Sequence, residues 1–511
     1  MYETIKTRKQ LEHAWNDLKT EILSRPLFTD NSAKAKAERK ERCKDNVQEF
    51  GRTYFPEYVS KESAKFHKEW EEIRKIENKP VLVKAFRGSG KSTYFNFLDP
   101  IHSIAYGLRN FMLFSSYTED KSGIFTGRML LELQYNQRLK NDFGEFILPN
   151  RPASTKYFVA EVPGSTGKTV GVKAISIGQD PRGYVQGPFR PDYVRLDDIQ
   201  NRQRARSQKF VRNTIEWITQ DLVPALAEGY SLITNATPLN TQCVASTLEK
   251  GSDDIAPMKT YNFPAVVRGK PAWKDAFPLS RLEAIKKSIG SRAFNQEFLL
   301  IPTPLNERIF PEESIRGYAI EELIGMPFSY IYSWTDPSIK HEDKHCYKAT
   351  VCAGITEEGI IYVLKARVRQ ESIPRMVDGM YVIYNTWNPS WMFYEDNGGQ
   401  AILGEVFSMR AEKEGYHLPY RPITNTINKH TRIEGTLSAP IENGIIRFLK
   451  TDPDQKELID QLIQFPDGTY VDGPDALEGV VRMLLAQARK KNAGGPESKR
   501  RRESHVVLRG Y

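Results

Sequence analysis

At 511 residues the chain is longer than one hydrophobic core ordinarily serves, so two sizeable domains are expected. Hydrophobic residues at 40% and aromatics at 11% exclude a chain disordered throughout, and no stretch approaches the ~20 apolar residues of a membrane-spanning helix. The net charge of +9 suits a polyanionic partner. Four scattered cysteines, Cys43, Cys243, Cys346 and Cys352, form no CxxC pair, which argues against a zinc knuckle or a disulfide framework and fits a reducing compartment. The opening MYETIKTRKQ lacks an apolar run, so no signal peptide and a cytoplasmic location are expected.

Residues 1–50 are charged and predict a helical N-terminal arm, with Ala33–Lys44 either a solvated helix or a partner-binding segment. Over 51–301 short apolar runs alternate with helical patterns, as parallel α/β units do. The runs are Val81–Phe86, Phe111–Ser115, Ala174–Ile177, Tyr193–Leu196 and Ser231–Thr234, and ligand-binding residues are expected just past their carboxyl ends.

The first run leads into VLVKAFRGSGKST. Small residues there let backbone N–H groups wrap phosphates while the following helix offers its positive end. Arg87, Gly88, Ser89, Gly90, Lys91, Ser92 and Thr93 are therefore the candidate ATP-binding loop, with Lys91 reaching the β- and γ-phosphates and the Ser92 hydroxyl ligating Mg²⁺. The first glycine of GxxxxGK[ST] is Ala85 here. Tyr193–Asp198, YVRLDD, ends a strand in two acids: Asp197 to hold Mg²⁺ and Asp198 to orient the attacking water. In LITNATP, Thr234, Asn235 and Thr237 are candidates to sense the γ-phosphate and couple its loss to movement.

Proline-rich 302–327 predicts a linker. Beyond it, over 328–489, the expected order βββαβαβα is that of the ribonuclease H-like nuclease fold, with GluGluGly turning the second strand into the third. Asp336 ends the first strand, Glu395 and Asp396 a later one, and Asp475 lies in the first turn of the last helix. Phosphodiester cleavage with two Mg²⁺ or Mn²⁺ ions needs hard oxygen ligands from separate elements, which these acids can supply. Adjacent strand residues face opposite ways, so only one of Glu395 and Asp396 can point at the metals, and Asp472 stands as an outer or alternate ligand. Lys429 and Arg432 are either DNA-backbone contacts or plain helix-surface charges. The last residues, 490–511, predict a disordered basic tail.

In order and spacing these motifs resemble the large subunits of tailed-phage terminases. The resemblance is carried by AFRGSGKST, by Phe66-His67 upstream, by Arg182-Gly183 followed by RPDYVRLDD, and by Asn295-Gln296-Glu297-Phe298 ahead of Pro302 and Phe310. It spans about residues 50 to 488 and departs from the family at Ala85, for glycine, and Asp198, for glutamate. It implies an ASCE-type P-loop ATPase followed by the nuclease, with Arg87 as the family's phosphate-loop arginine. Asp336 and Asp475 match the family's first-strand and helix aspartates, and for the middle carboxylate the family's pattern favours Glu395 over Asp396. Arg128 and Arg182 both stand as arginine-finger candidates. The implied function is ATP-driven packaging of double-stranded DNA into a procapsid and endonucleolytic cutting of concatemers, in the host cytoplasm at the portal. The implied partners are DNA, the portal protein, with the basic tail as a candidate contact, and the small subunit, with residues 1–50 as a candidate contact. Copies of the chain would form a ring while packaging and could be monomers in solution. Two other functions fit the residues: a P-loop helicase or translocase fused to a recombinase-like nuclease, and a non-catalytic DNA-binding scaffold.

Overall fold

The computed structural model describes residues 8–252, 255–304, 308–337, 347–396 and 400–492. It divides into two units, Met1–Glu283 with Arg292–Leu305, and Ala284–Ser291 with Asn306–Tyr511. Among the described residues no helix is long and apolar enough to cross a membrane.

The first unit opens with helices α1 (Arg8–Ser24), α2 (Ala33–Cys43), α3 (Val47–Tyr54) and α4 (Lys65–Ile73). The sequence is helical here as expected, but it is not a detached arm. Arg39 is buried, its guanidinium donating twice to Asp142 at 2.7 and 2.8 Å, and Arg25 pairs with Glu132 at 2.8 Å. Buried charges require such partners, so the basic run that looks solvated in sequence is stapled to the domain through Arg39.

Seven strands follow: β1 (Val81–Ala85), β2 (Phe111–Ser116), β3 (Tyr157–Glu161), β4 (Thr169–Ser176), β5 (Tyr193–Asp197), β6 (Ser231–Ala236) and β7 (Lys259–Phe263). Their order across the sheet is β3-β4-β2-β5-β6-β1-β7, parallel except for β3 against β4. Every residue of β1, β2, β5 and β6 is buried, as expected of strands covered on both faces. One strand, β6, separates the phosphate-loop strand β1 from the acid strand β5, the arrangement of an ASCE-type P-loop domain. Helices α5 (Glu119–Tyr135) and α6 (Gln208–Glu216) lie in the β2–β3 and β5–β6 connections.

The second unit holds another seven-stranded sheet: β8 (Arg316–Gly317), β9 (Tyr330–Asp336), β10 (Tyr347–Ile355), β11 (Ile361–Gln370), β12 (Trp391–Glu395), β13 (Tyr420–Ile423) and β14 (Ile446–Phe448), ordered β8-β14-β11-β10-β9-β12-β13. The antiparallel β9–β10–β11 meander continues through β12 and β13, which are parallel to β9. Helices α7 (Ile373–Trp387), α8 (Gln400–Glu414), α9 (Lys429–Glu442), α10 (Pro453–Gln464) and α11 (Asp472–Asn492) complete the ribonuclease H-like order. Trp334 on β9 is fully buried beneath α11, and a Cβ placed on Gly479 of that helix would lie 2.1 Å from the indole. Helix and strand approach this closely because residue 479 has no side chain.

Much of the 302–327 stretch expected to be a linker belongs to the second unit. Phe310, Ile315 and Leu323 are buried in its core and β8 pairs with β14. Prolines break regular structure there without preventing the apolar residues between them from packing. Of the expected tail, the first residues continue α11 to Asn492, and 493–511 lie outside the described residues.

Candidate active sites

The phosphate loop lies where β1 ends. Gly88 and Gly90 have φ of +84° and +88°, and a Cβ at Gly88 would meet the Phe277 ring at 2.6 Å, so glycine is required at 88 on both counts. Ala85 is different. It is the last residue of a regular strand, paired with Phe263, so a methyl group costs nothing where the usual motif has glycine. His67 braces the loop from α4: its Nδ1 accepts from the Ala64 amide at 2.9 Å, so Nε2 carries the proton and donates to the Ser89 carbonyl at 2.9 Å. Burial lowers the pKa of His67, which keeps this neutral tautomer.

The loop lines a cavity of about 540 Å³ together with Asp197, Asp198, Gln200, Asn235, Thr237 and Glu297. After Lys91–Thr93 the helix widens into a π turn, Tyr94–Leu98, a distortion that turns Asn96 toward β5 and β6. Asp197 Oδ2 accepts from the Ser92 hydroxyl at 2.7 Å and from the Asn96 amide at 2.5 Å, while Asp197 Oδ1 accepts from the Asp198 N–H at 3.1 Å. Burial and the neighbouring Asp198 push the Asp197 carboxyl up to about 6, against Lys91 and Ser92, which stabilise its anion. Burial lowers the pKa of Lys91; Asp197, Asp198 and Glu297 oppose it. Ser92 and Asp197 thus offer a hydroxyl and a carboxylate side by side, the hard donors Mg²⁺ takes.

The remaining candidates separate. Arg87 is exposed on the cavity lining, and Gly88–Thr93 line the cavity with it. Asp198 lines the cavity too, but its own φ is +50° and its carboxylate points outward to Lys121 at 3.6 Å. On β6, Asn235 stands beside Asp197 and donates to Asn96 Oδ1 at 3.1 Å, and Thr237 lines the cavity just beyond the strand. Thr234 lies fully buried within the strand and does not line the cavity. Neither arginine expected as a finger lines it: Arg128 stacks on Tyr58 and Phe97, and Arg182 pairs with Asp221 at 2.6 Å. Sequence reasoning misses Asn96, which no pattern marks because a π turn is invisible in composition. It also misses a role for Glu297, although the Asn295–Phe298 stretch is one of the motifs that carry the resemblance.

In the second unit Asp336 ends β9 and Glu395 ends β12, adjacent parallel strands in register at Thr335 and Tyr394. Asp475 comes in from the first turn of α11. All three are buried, and one oxygen from each lies within 4.8 Å of the others. Asp396, one residue past the strand, lies outside this group, its N–H instead donating to the Ile423 carbonyl at 3.0 Å.

Two cations from α9 balance the acids. Lys429 Nζ lies 2.8 Å from Asp336, 3.0 Å from Asp472 and 3.3 Å from Asp475. Burial alone would lower the pKa of Lys429, but these three acids more than offset it. Arg432 is not the surface residue that both of its expected roles require. It is buried, with one terminal nitrogen 2.8 Å from Asp475 and 3.5 Å from Glu395, and the other 2.6 Å from Glu478. Glu478, fully buried, also accepts from Thr436 at 3.0 Å and Arg482 at 2.9 Å. Lys429 and Arg432 share the inner face of α9 because they are three residues apart, and the acids opposite select that face. Burial pushes the Asp475 carboxyl up to about 8; Lys429 and Arg432 pull it down, and Asp336 and Glu395 push it up.

No family model matches the chain, and no curated protein matches it. Among solved structures it is similar to the large terminase of a thermophilic bacteriophage, with a TM-score of 0.47 and 10% identity over 80% of this chain and 94% of that one. It is similar also to the large terminase of bacteriophage HK97, with a TM-score of 0.36 and 14% identity over 86% of this chain and 99% of that one. The ATPase domain of the large terminase of Thermus phage P74-26 matches with a TM-score of 0.33 and 14% identity, covering 49% of this chain and 98% of that one.

Proposed function

We propose that the chain is a DNA-packaging enzyme, the large subunit of a tailed-phage terminase, in which an ATPase drives duplex-DNA translocation and a metal-dependent endonuclease cuts the concatemer. The observation that carries this reading is that one chain holds two separate groups of residues with different chemistry. One is a phosphate cradle with its acid pair; the other is three buried carboxylates with oxygens within 4.8 Å.

In the first centre the loop N–H groups and Lys91 bind the β- and γ-phosphates of ATP, and Arg87 lies exposed beside them. Ser92 and Asp197 are the Mg²⁺ ligands, Asn96 fixing the Asp197 carboxylate that faces Ser92. Asp198 is the candidate to accept a proton from the attacking water, a role that requires its side chain to leave Lys121 and turn inward. Asn235 and Thr237 line the cavity and would be the candidates to register loss of the γ-phosphate, with Thr234 behind them in the strand.

In the second centre Asp336, Glu395 and Asp475 have the donor chemistry for Mg²⁺ or Mn²⁺, and bound ions would supply Lewis acidity to an attacking water and to the leaving oxygen. Asp472 holds Lys429, and Glu478 holds Arg432, each a neighbour of the carboxylates rather than a ligand. Asp396 is demoted to a turn residue in this reading. Portal protein, small subunit and a ring of copies belong to the same reading, as does action in the host cytoplasm.

Two variants test it. Lys91→Ala should remove DNA-stimulated ATPase while plasmid cleavage with Mn²⁺ persists, and Asp336→Ala should do the reverse. Joint loss in either variant, or strand separation by the parent protein, would count against packaging by two independent centres.

A further inference from the structure

The connection after the acid pair, residues 201–215, reads NRQRARSQKFVRNTI and contains five basic residues and no acid before Glu216. Arg206, Lys209 and Arg212 are exposed, and among the described residues none of them has an ion-pair partner. Lys209 and Arg212 lie one turn apart on α6, whose opposite face buries Val211, Thr214 and Ile215. Around these cations the surface is polar, with Ser207 capping the helix and Gln208 hydrogen-bonded to Gln242 at 3.1 Å. None of the large exposed hydrophobic residues falls in this segment.

The segment is also tied to the walls of the nucleotide cavity. The Tyr117 N–H donates to the Asp198 carbonyl at 3.3 Å, and the Tyr117 carbonyl accepts from Arg204 at 3.0 Å. The Arg204 guanidinium stacks on Tyr117 and Phe210. From the other side, Asn240 donates to the Ala205 carbonyl at 2.9 Å, next to the Leu239 that lines the cavity. Two hydrogen bonds in series therefore connect the Asp198 backbone to the first turn of the basic segment.

We infer that Arg206, Lys209 and Arg212 form a duplex-DNA contact that grips the phosphate backbone and is moved by the nucleotide site. This rests on the ATPase reading proposed above. A phosphate backbone needs only cations and polar donors at repeated spacing, and this surface offers both. A second protein surface would be expected to find an apolar, aromatic centre, which this segment does not expose. Because the grip is on phosphate, it is sequence-tolerant and lets DNA advance past it.

The test uses the full chain and a short duplex of arbitrary sequence. In the triple variant R206A/K209A/R212A, basal ATPase should match the parent, since none of the three lines the cavity. The DNA concentration for half-maximal stimulation should rise roughly tenfold. The slope of log affinity against log salt should become shallower by about 2 to 3, at ~0.9 for each phosphate that the variant no longer neutralises. An unchanged slope and unchanged stimulation in the variant overturn the inference while leaving the ATPase reading intact. Loss of self-association with an unchanged DNA slope also overturns it and assigns the surface to a second copy of the chain. A parent protein that hydrolyses ATP but neither binds nor responds to duplex DNA overturns the inference together with the packaging reading.

Discussion

The two centres neutralise their acids in opposite ways. In the first unit the buried Asp197 carboxylate takes its hydrogen bonds from neutral donors, a hydroxyl from Ser92, a side-chain amide from Asn96 and a backbone N–H from Asp198, while the Lys91 ammonium acts on it without a hydrogen bond. In the second unit the carboxylates of Asp336, Glu395 and Asp475 are held by whole charges, Lys429 and Arg432. Hydrogen bonds from dipoles orient a carboxylate without cancelling its charge, so the first site keeps its attraction for a cation and needs little rearrangement to receive one. A site filled by ammonium and guanidinium groups must exchange or shift positive charge when divalent ions enter. Lys429, on a flexible and partly exposed stem, can withdraw; Arg432, clamped by Glu478, cannot.

That contrast fixes where the largest mutational effect should fall. Because Glu395 is one of the three clustered carboxylates proposed to hold metal, Glu395→Ala should lower cleavage by a factor on the order of 10² to 10³, comparable to other losses of transition-state charge stabilisation. Asp396→Ala, one residue further and outside the cluster, should stay within a few-fold of the parent. Equal losses in the two variants, measured as initial rates of plasmid nicking, would mean that the strand end turns over when DNA binds and that the carboxylate set is wrong.

A smaller effect is expected where the acid is held by dipoles. Asn96→Ala removes one of two donors to Asp197 Oδ2 and leaves the Asn235 amide without its acceptor. Outer partners of metal ligands typically contribute 10- to 100-fold in metal affinity, roughly. The Mg²⁺ concentration for half-maximal ATPase should therefore rise about tenfold, with turnover at saturating Mg²⁺ much less affected. A fall in turnover with no change in the Mg²⁺ requirement would show that Asn96 serves β6 rather than the metal position.

The same contrast explains what the sequence discloses. The proposed nucleotide site is nearly contiguous in sequence: the loop, its lysine and its serine lie within VLVKAFRGSGKST, and the acid pair ends an unmistakable apolar strand. Its one apparent defect, Ala85, is a strand residue at which glycine is optional. What escapes is geometry that leaves no compositional trace, namely the π turn that delivers Asn96 and the left-handed Asp198 that points outward. The clustered acids of the second unit come from three distant segments, and strand alternation says only that one of Glu395 and Asp396 faces inward, not which. Helix charges are harder. Lys429 and Arg432 look like surface residues because sequence shows the periodicity of a helix but not which face meets an acid cluster. The N-terminal basic run misleads for the same reason, since a single arginine, Arg39, reaches a buried Asp142 more than a hundred residues away.

The last effect expected is on pH, and it comes from how incompletely the second site's cations offset burial. Asp475 in the folded protein holds its proton to about pH 8, whereas an unfolded aspartate releases it near 3.8. Between those values the native state binds more protons than the unfolded one, so stability without metal is fully present at the acid end and declines as pH rises through the window. A divalent ion entering the site must displace that proton, so its affinity gains up to about tenfold per pH unit, or ~1.4 kcal/mol per proton released. Calcium, a hard cation suited to carboxylates, should therefore raise the melting temperature of the second unit by more at pH 8 than at pH 6, by roughly 2 to 4 °C for each kcal/mol of added binding in a unit of this size. A calcium-induced shift that is flat across this range would show that Asp475 is already ionised in the folded protein, paired fully by Lys429 and Arg432. In that case the second site resembles the first in being preformed for its ion, and the difference between dipoles and charges has no consequence for metal entry.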